Sequence, residues 1–438
     1  MLIQRIILAM STRFQFRSSF FKSVGVLVSG TAFAQVLTVI ALPLLTRIYT
    51  PTDFSVLAVY TSIVSIISVA ACLRFEIAIP LPKRDAEAAN LLALSLLFCT
   101  VISIAVFFGV LLFSAQIIEL VGQPALRPYL WLLPLGIWLA SSYSAIQFWA
   151  TRKKKFGIIA KTRMTQAIGG VGTQLGLGWA GLAPLGLLLG QMINSGAGFF
   201  GLICDALRGD RALIRSISRF RMRRIFRRYV NFPKYSTLEA LSNNAGIQLP
   251  LIIIASLAVG PEVGFLALAM RVMAAPMAFI GSSVAQVYLA EASAKYYKGE
   301  LRAFTIKVML RLLVIGGPII AVGGAISPLL FPIIFGPEWG RAGELVFLMV
   351  PWFIIQFVVS PVSMSLHITG RQGVALIVQL AGVLFRSGCV VFAYFVIPGW
   401  LSEVYIVTGA VFYFFYLLIV LACVGGRAKA MPLARGNA

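Results

Sequence analysis

Charge is what this chain has least of: only 12% of its 438 residues are Asp, Glu, Lys or Arg, about half the fraction a soluble domain carries. With 60% hydrophobic residues and a mean hydropathy of +0.94, a water-soluble fold is excluded. Acid is scarcer still, with 14 Asp and Glu against 37 Lys and Arg. Histidine is nearly absent: His367 is the single one, so neither a zinc centre nor a catalytic triad can be assembled around it. The five cysteines, Cys72, Cys99, Cys204, Cys389 and Cys423, lie in or at the ends of hydrophobic segments with no CxxC or metal-ligand spacing, so no disulfide and no metal site is expected. No P-loop, no paired catalytic carboxylates and no Rossmann glycine fingerprint occur, which argues against ATP-driven transport, an enzyme active site and a bound cofactor.

What the chain does have is long apolar runs. A helix needs about 20 predominantly apolar residues to cross a bilayer, and about twelve such runs can be read, roughly at 24–46, 54–73, 88–114, 128–150, 157–178, 183–204, 235–258, 262–290, 303–334, 342–367, 372–397 and 402–424. The fold class is an all-α polytopic membrane protein. Lys and Arg collect on one side of these runs, at Arg5 to Lys22, Arg74 to Arg84, Arg152 to Lys155, Arg208 to Lys234, Lys295 to Arg302, Arg371 and beyond Arg427, whereas the other side has only Arg47, Arg127 and Arg341. The basic side is the cytoplasmic one, so both termini are expected there, and the net charge of +23 reads as topology and not as nucleic-acid binding. The expected organisation is a cytoplasmic tail over 1–23, retained and not a cleaved signal, a six-helix bundle over 24–204, a basic loop over 205–234, a second six-helix bundle over 235–424 and a tail over 425–438.

The basic loop carries Arg219, Arg221, Arg223, Arg224, Arg227 and Arg228. It either serves as a positive-inside anchor or binds anionic headgroups. A weak repeat relates the halves: Tyr49-Thr50-Pro51-Thr52-Asp53-Phe54 follows run 1, and Val259-Gly260-Pro261-Glu262-Val263-Gly264 follows run 7. Each offers an N-cap, a proline at the first helical position and an acid in the first turn. Six crossings preserve orientation, so the halves are expected to be parallel repeats about a pseudo-two-fold along the membrane normal, as in transporters that rock around a central site.

Several basic residues fall inside these runs. An arginine at a helix centre costs roughly 2.5–3.5 kcal/mol to insert, so Arg271, Arg311 and Arg386 are expected to line a watery cationic cavity that binds an anion. Lys307 lies four residues before Arg311, on the same helix face, and Gln372, Gln379 and Arg386 recur every seven residues. Arg163, Gln166, Gly170 and Gln174 make another polar stripe. For Lys161, Arg163 and Lys307 the competing reading is snorkelling to the interface. Glu239 is the most deeply placed acid, with Asn243 one turn on and Pro250 beyond. It either binds a coupling cation or proton together with Asn243, or forms a salt bridge with a cavity arginine. Arg74 and Glu76 read as a local pair, and the glycines from Gly169 to Gly178 as helix-packing positions.

The phrases LPLLTRIYTPTDFSVLAVYTSIVSI (42–66), LRFEIAIPLPKRDAEAANLLALSL (73–96), WATRKKKFGIIAKTRMTQ (149–166) and GLLLGQMINSGAGFFGL (186–202) resemble Wzx-type oligosaccharide flippases, of the broader superfamily that also holds lipid II flippases and the MATE multidrug exporters. The resemblance spans nearly the whole amino-terminal half, whereas the carboxy-terminal half follows the family mainly in hydropathy. It implies a MATE-like protein of the bacterial inner membrane that moves an undecaprenyl-pyrophosphate-linked glycan of the O-antigen or exopolysaccharide type to the periplasmic leaflet, driven by an ion gradient or membrane potential. It also implies surrounding membrane lipids, a polysaccharide polymerase and a chain-length regulator as partners, and no nucleic acid. Lipid II flipping, MATE-type drug or ion antiport, and a polymerase or ligase are the alternatives. A drug exporter for cations calls for an acidic cavity, and a polymerase or ligase for a longer periplasmic loop than that around Ser114 to Arg127.

Overall fold

Capping chemistry sets the helix boundaries in the computed structural model of the chain, which describes residues 25–424 apart from 27, 212, 214–215, 259, 278–280, 282–283, 286–287, 289–290, 293–294, 297 and 370. The expected tails over 1–23 and 425–438, and parts of the eighth run beyond 277, lie outside the described residues. The principal helices are α1 (Val28–Ile48), α2 (Pro51–Ala71), α3 (Asp85–Val121), α4 (Leu132–Arg152), α5 (Phe156–Trp179), α6 (Leu185–Gly196), α7 (Gly198–Gly209), α8 (Arg219–Arg228), α9 (Thr237–Leu257), α10 (Glu262–Pro276), α11 (Leu301–Phe335), α12 (Gly340–Val359), α13 (Gln372–Val396) and α14 (Leu401–Val424). Among the described residues nine helical stretches are long and apolar enough to cross a membrane. Helices α4 and α5 occupy the expected fourth and fifth runs and carry more polar side chains. Large apolar side chains such as Leu112, Val314, Leu384 and Phe395 are exposed, the condition of a surface solvated by lipid. The chain is an all-α polytopic membrane protein.

The described parts of the chain form two compact units. Of the described residues, unit 1 takes 25–41, Ile67–Ser114 and Pro128–Leu238, and unit 2 takes Leu42–Ile66, Ala115–Arg127 and 239–424. These units follow packing, whereas the expected bundles over 24–204 and 235–424 follow chain order. Helix α3 passes between units close to Phe113, whose φ of −122° interrupts the helix.

In unit 1, Asp85 at the start of α3 accepts from Arg152 Nε (3.0 Å), Arg152 Nη2 (2.8 Å) and Lys153 Nζ (2.6 Å) at the end of α4. An acid at a helix N-terminus thus meets cations at a helix C-terminus, the arrangement both helix dipoles favour. Arg152 Nη1 also donates to the Ile79 and Pro80 carbonyls. Helices α5 and α6 cross closely where a Cβ on Gly170 would press on the Gly190 carbonyl and Asn194. That is the packing role expected of the glycines, whereas Gly172 and Gly176 face open space. Helix α8 buries Ile225 and packs Phe226 against Phe75 and Phe98, and its six arginines are exposed.

In unit 2 the two repeat-related turns meet. At the first, Thr50 Oγ1 accepts from the Asp53 N–H (3.2 Å) and Asp53 Oδ2 accepts from the Thr50 N–H (2.9 Å), a reciprocal capping box with Pro51 at the first helical position as expected. The second turn differs by one residue. Helix α10 begins at Glu262, so Pro261 is the N-cap and has no side chain able to cap. Ser55 on α2 supplies the cap instead: its Oγ accepts from the Gly264 N–H (2.8 Å) and donates to the Gly260 carbonyl (3.0 Å). Trp339, almost fully buried, closes the same corner by donating to the Thr46 carbonyl (3.1 Å) and packing edge-on against Phe54.

Candidate functional site

Helices α2, α9 and α10 of unit 2 surround a cavity of about 220 Å³ whose polar wall is Thr61, Ser62, Gln248 and Arg271. Ser62 Oγ donates to Gln248 Oε1 (2.9 Å), which fixes the amide. One turn earlier on α9, Asn244 Nδ2 donates to the Ser65 carbonyl (2.6 Å). The remaining wall is apolar, including Phe54, Leu57 and Met270. A guanidinium beside hydroxyl and amide groups within an apolar wall suits an anion, because the low local dielectric strengthens each charge-assisted hydrogen bond. The cavity is smaller than the roughly 300–1,000 Å³ of drug-sized pockets, so it fits a charged headgroup and not a whole lipid-linked glycan.

Of the residues expected to share a cationic cavity, the structure brings Arg271 to this one. Arg386 lies in the same unit but is only 2% exposed. Its guanidinium sits 4.8 Å from the Trp352 ring and 4.6 Å from the Tyr405 ring, and its Nη1 donates to the Gly246 carbonyl (3.1 Å). Thus Arg271 and Arg386 approach α9 at neighbouring residues, but Arg386 is enclosed by protein in this state. Lys307 and Arg311 are exposed side by side on α11, in a shallow, mostly apolar groove with Leu310, Val314 and Ile315. Gln379 is half-buried on α13, and the side chains of His367 and Gln372 lie outside the described residues.

Arg163 belongs to unit 1, where its Nη1 donates to Thr31 Oγ1 (2.6 Å). Farther along its stripe Gln166 is buried. With its amide oriented to satisfy both ends, its nitrogen donates to the Thr162 carbonyl and Tyr143 hydroxyl, and its oxygen accepts from the Gly198 N–H. Glu239 is half-buried in the first turn of α9 and Asn243 is exposed. Among the described residues Glu239 forms no salt bridge, so the pairing with a cavity arginine is not made in this state.

Two ionic features went unseen in the sequence. Arg341 on α12 pairs with Glu262 (3.1 Å), Glu344 (3.2 Å) and Glu403, joining α10, α12 and α14. Glu262 and Glu403 lie far from Arg341 along the chain, and only the unusual sparsity of charge on that side offered a signal. The second is the environment of Glu76. The local pair with Arg74 forms (3.5 Å), but Glu76 is 3% exposed and its Oε2 has no hydrogen-bond partner. Leu73 and Arg74 reach it through left-handed backbone, φ 49° and 59°, which non-glycine residues adopt at an energetic cost. Burial pushes the Glu76 carboxyl up from its ordinary value, outweighing a backbone hydrogen bond and Arg74, which pull it down.

Apolar helices with outward lipid-facing surfaces and a basic residue at a small, partly polar cavity define a polytopic all-α membrane protein. Solved structures agree on the fold. The lipid II flippase MurJ in an inward closed conformation superposes with a TM-score of 0.72 at 13% identity, covering 91% of this chain and 89% of that one. The MATE transporter VcmN of Vibrio cholerae gives 0.60 at 12% identity over 94% and 97%. A MOP-superfamily transporter from Pyrococcus furiosus, described as having a binding pocket of reverse polarity, gives 0.56 at 13% identity over 93% and 97%. No curated protein matches the sequence. The family described as polysaccharide biosynthesis protein matches residues 44–344. The chain belongs to that family, which is where its amino-terminal phrases pointed.

Proposed function

We propose that the protein is a flippase that carries an undecaprenyl-pyrophosphate-linked oligosaccharide from the cytoplasmic to the periplasmic leaflet of the bacterial inner membrane, by alternating access and without catalysis. The observation that carries this reading is Arg271, enclosed with Gln248 and Ser62 inside a helical membrane protein of a polysaccharide biosynthesis family. A pyrophosphate is the invariant anionic part of such a cargo, and a cavity of that size takes the headgroup while lipid and sugar extend beyond it. Lys307 and Arg311 on α11, Arg163 on α5 and Gln379 on α13 are the further residues proposed to bind cargo, and Glu239 with Asn243 is the proposed coupling site for a proton or cation. Both termini and the 205–234 loop are cytoplasmic, and the bundles over 24–204 and 235–424 rock against each other. A MATE-type exporter of cationic drugs fits less well, because Arg271 repels such a cargo.

The test is export of surface glycan in cells and flipping of a fluorescent lipid-pyrophosphate glycan in proteoliposomes. Arg271→Ala is expected to lower both at normal protein level, whereas Arg271→Lys keeps part of the rate, since a point charge attracts pyrophosphate without the planar fork. Unchanged flipping by Arg271→Ala overturns the assignment of this cavity. Glu239→Gln is expected to fold and bind cargo but to lose its response to an imposed pH or sodium gradient. A periplasmic reporter signal from a fusion within the 205–234 loop overturns the orientation.

A further inference from the structure

Pro250 lies inside α9. In an α-helix the N–H of residue i bonds the carbonyl of i−4, and proline has no N–H. The carbonyl deprived of its helical partner is therefore that of Gly246. That is the carbonyl to which Arg386 Nη1 donates (3.1 Å). One residue on, the Tyr405 hydroxyl donates to the Ile247 carbonyl (3.3 Å), and Tyr405 is one of the two rings that hold the Arg386 guanidinium. At Gly246 α13 also comes close: a Cβ there would press on Val383, one turn before Arg386.

We propose that Arg386 is a positioning residue, which closes the hydrogen-bond gap that Pro250 leaves in α9 and thereby sets Ile247 and Gln248 in the wall of the Arg271 cavity. An arginine suits the task for three reasons. Its planar fork donates to a carbonyl while its faces stack on Trp352 and Tyr405. It cannot lose its proton, so the repair does not vary with pH. A buried cation is tolerated in a membrane when it pairs with a backbone carbonyl. The Nε and Nη2 groups have no hydrogen-bond partner, so the guanidinium has donors in reserve for carbonyls that a bend at Pro250 would expose. Lost with Arg386 is the fixed direction of the α9 segment that carries Gln248, and with it the shape of the cavity. The assignment deepens the proposed function without depending on it, because neither measurement below involves transport.

The experiment crosses Arg386→Met with Pro250→Ala in the full-length protein in detergent. Methionine retains much of the apolar stem but cannot donate. Alanine at 250 supplies the N–H that the Gly246 carbonyl lacks as a partner, so the helix closes its own gap and the arginine becomes dispensable. The readouts are thermal stability and the alkylation rate of a reporter thiol, Ala267→Cys, on the α10 wall of the cavity, in a background lacking the five native cysteines. Arg386→Met alone is expected to lower the melting temperature by about 5 °C and to change the thiol's rate several-fold. In the Pro250→Ala background the same substitution is expected to lose less than half as much in temperature and to leave the thiol's rate at the value of Pro250→Ala alone. If Arg386→Met does not fold, Arg386→Lys takes its place: it retains a donating ammonium without the planar stacking fork, and should show a smaller loss that Pro250→Ala again relieves. Equal losses in both backgrounds overturn the proposal, since the arginine then acts through its packing alone.

Discussion

Ser55→Ala removes a single oxygen atom, and the structure says what that atom does. The hydroxyl is fully buried, accepts from the Gly264 N–H (2.8 Å) and donates to the Gly260 carbonyl (3.0 Å). Gly264 is in the first turn of α10, where backbone N–H groups have no partner within the helix, and the proline at the N-cap offers none. Losing a cap costs about 0.5–2 kcal/mol, and a buried donor left unpaired costs about 1–3 kcal/mol. These describe largely the same bond, so about 2 kcal/mol is expected. At about 2–4 °C per kcal/mol for a body of 150–250 residues, the melting temperature should fall by roughly 4–8 °C. Thr50→Ala is the comparison, because its capping box is exposed to solvent and water replaces part of what is lost. Gly264→Ala sharpens the test through its sign. Helix propensity alone favours alanine over glycine by about 1 kcal/mol. A Cβ at 264, however, would overlap the Pro51 carbonyl oxygen, a backbone atom with little room to move, and overpacking costs about 1–3 kcal/mol. The measurement is fluorescence-detected gel filtration of heated, tagged protein. A Ser55→Ala loss no larger than that of Thr50→Ala, or a Gly264→Ala variant more stable than the unmodified protein, refutes the close crossing of the two turns.

Arg341→Ala leaves Glu262 and Glu403 without their shared cation, at an expected cost of about 2–3 kcal/mol, below the cost for a fully buried pair because Arg341 is 30% exposed. Adding Glu403→Gln should recover more than half of the lost melting temperature, and no recovery speaks against the network. Asp85→Ala removes the acceptor shared by Arg152 and Lys153 and should cost about 1–2 kcal/mol, since Asp85 is partly exposed; an unchanged melting temperature rejects the clamp. Glu76→Gln should show itself in the pH profile of stability. A raised carboxyl pKa means that the folded state holds the proton more tightly than the unfolded chain, so the contribution is complete below the ordinary 4.5 and is lost as pH rises through the raised value. The glutamine variant should therefore gain on the unmodified protein above that window and not below it, and parallel curves in melting temperature against pH dispose of the argument.

The helices were legible because a membrane leaves few choices: every backbone polar group must be satisfied within the segment, so apolar length alone announces a span. Capping was legible where it was local. Thr50, Pro51 and Asp53 lie within four residues and form the box their order suggests, with proline at the first helical position. The related turn at Gly260 and Pro261 shifts by one residue because its cap comes from Ser55, some two hundred residues earlier, and no local pattern encodes that. The glycine stripe on α5 gave its close crossing at Gly170, but spacing alone did not distinguish Gly170 from Gly172 and Gly176. Contact order was least legible. Leu42–Ile66 packs within unit 2 although the chain places it in the amino-terminal half, and the Arg341 network joins acids on separate helices.

The intramembrane arginines show how one insertion cost can be met in different ways. Depth and helical spacing made Arg271, Arg311 and Arg386 equivalent in the sequence. The protein places Arg271 among polar side chains at a cavity and Arg386 against a carbonyl and two rings, while Arg311 stays on an exposed apolar face. At a rise of about 1.5 Å per residue, Lys307 lies roughly 9 Å and Arg311 roughly 15 Å along α11 from its start. Lys307 is the nearer of the two to that end of the helix, so snorkelling serves it more readily than it serves Arg311. Of the three arginines it is therefore the one whose solvation the fold of unit 2 leaves to its surroundings, water or an anionic headgroup. A deep arginine thus marks a site where backbone, solvent or ligand must supply acceptors. Which of them does so depends on what the neighbouring helix lacks, and for Arg386 the deficit begins with the missing N–H of Pro250.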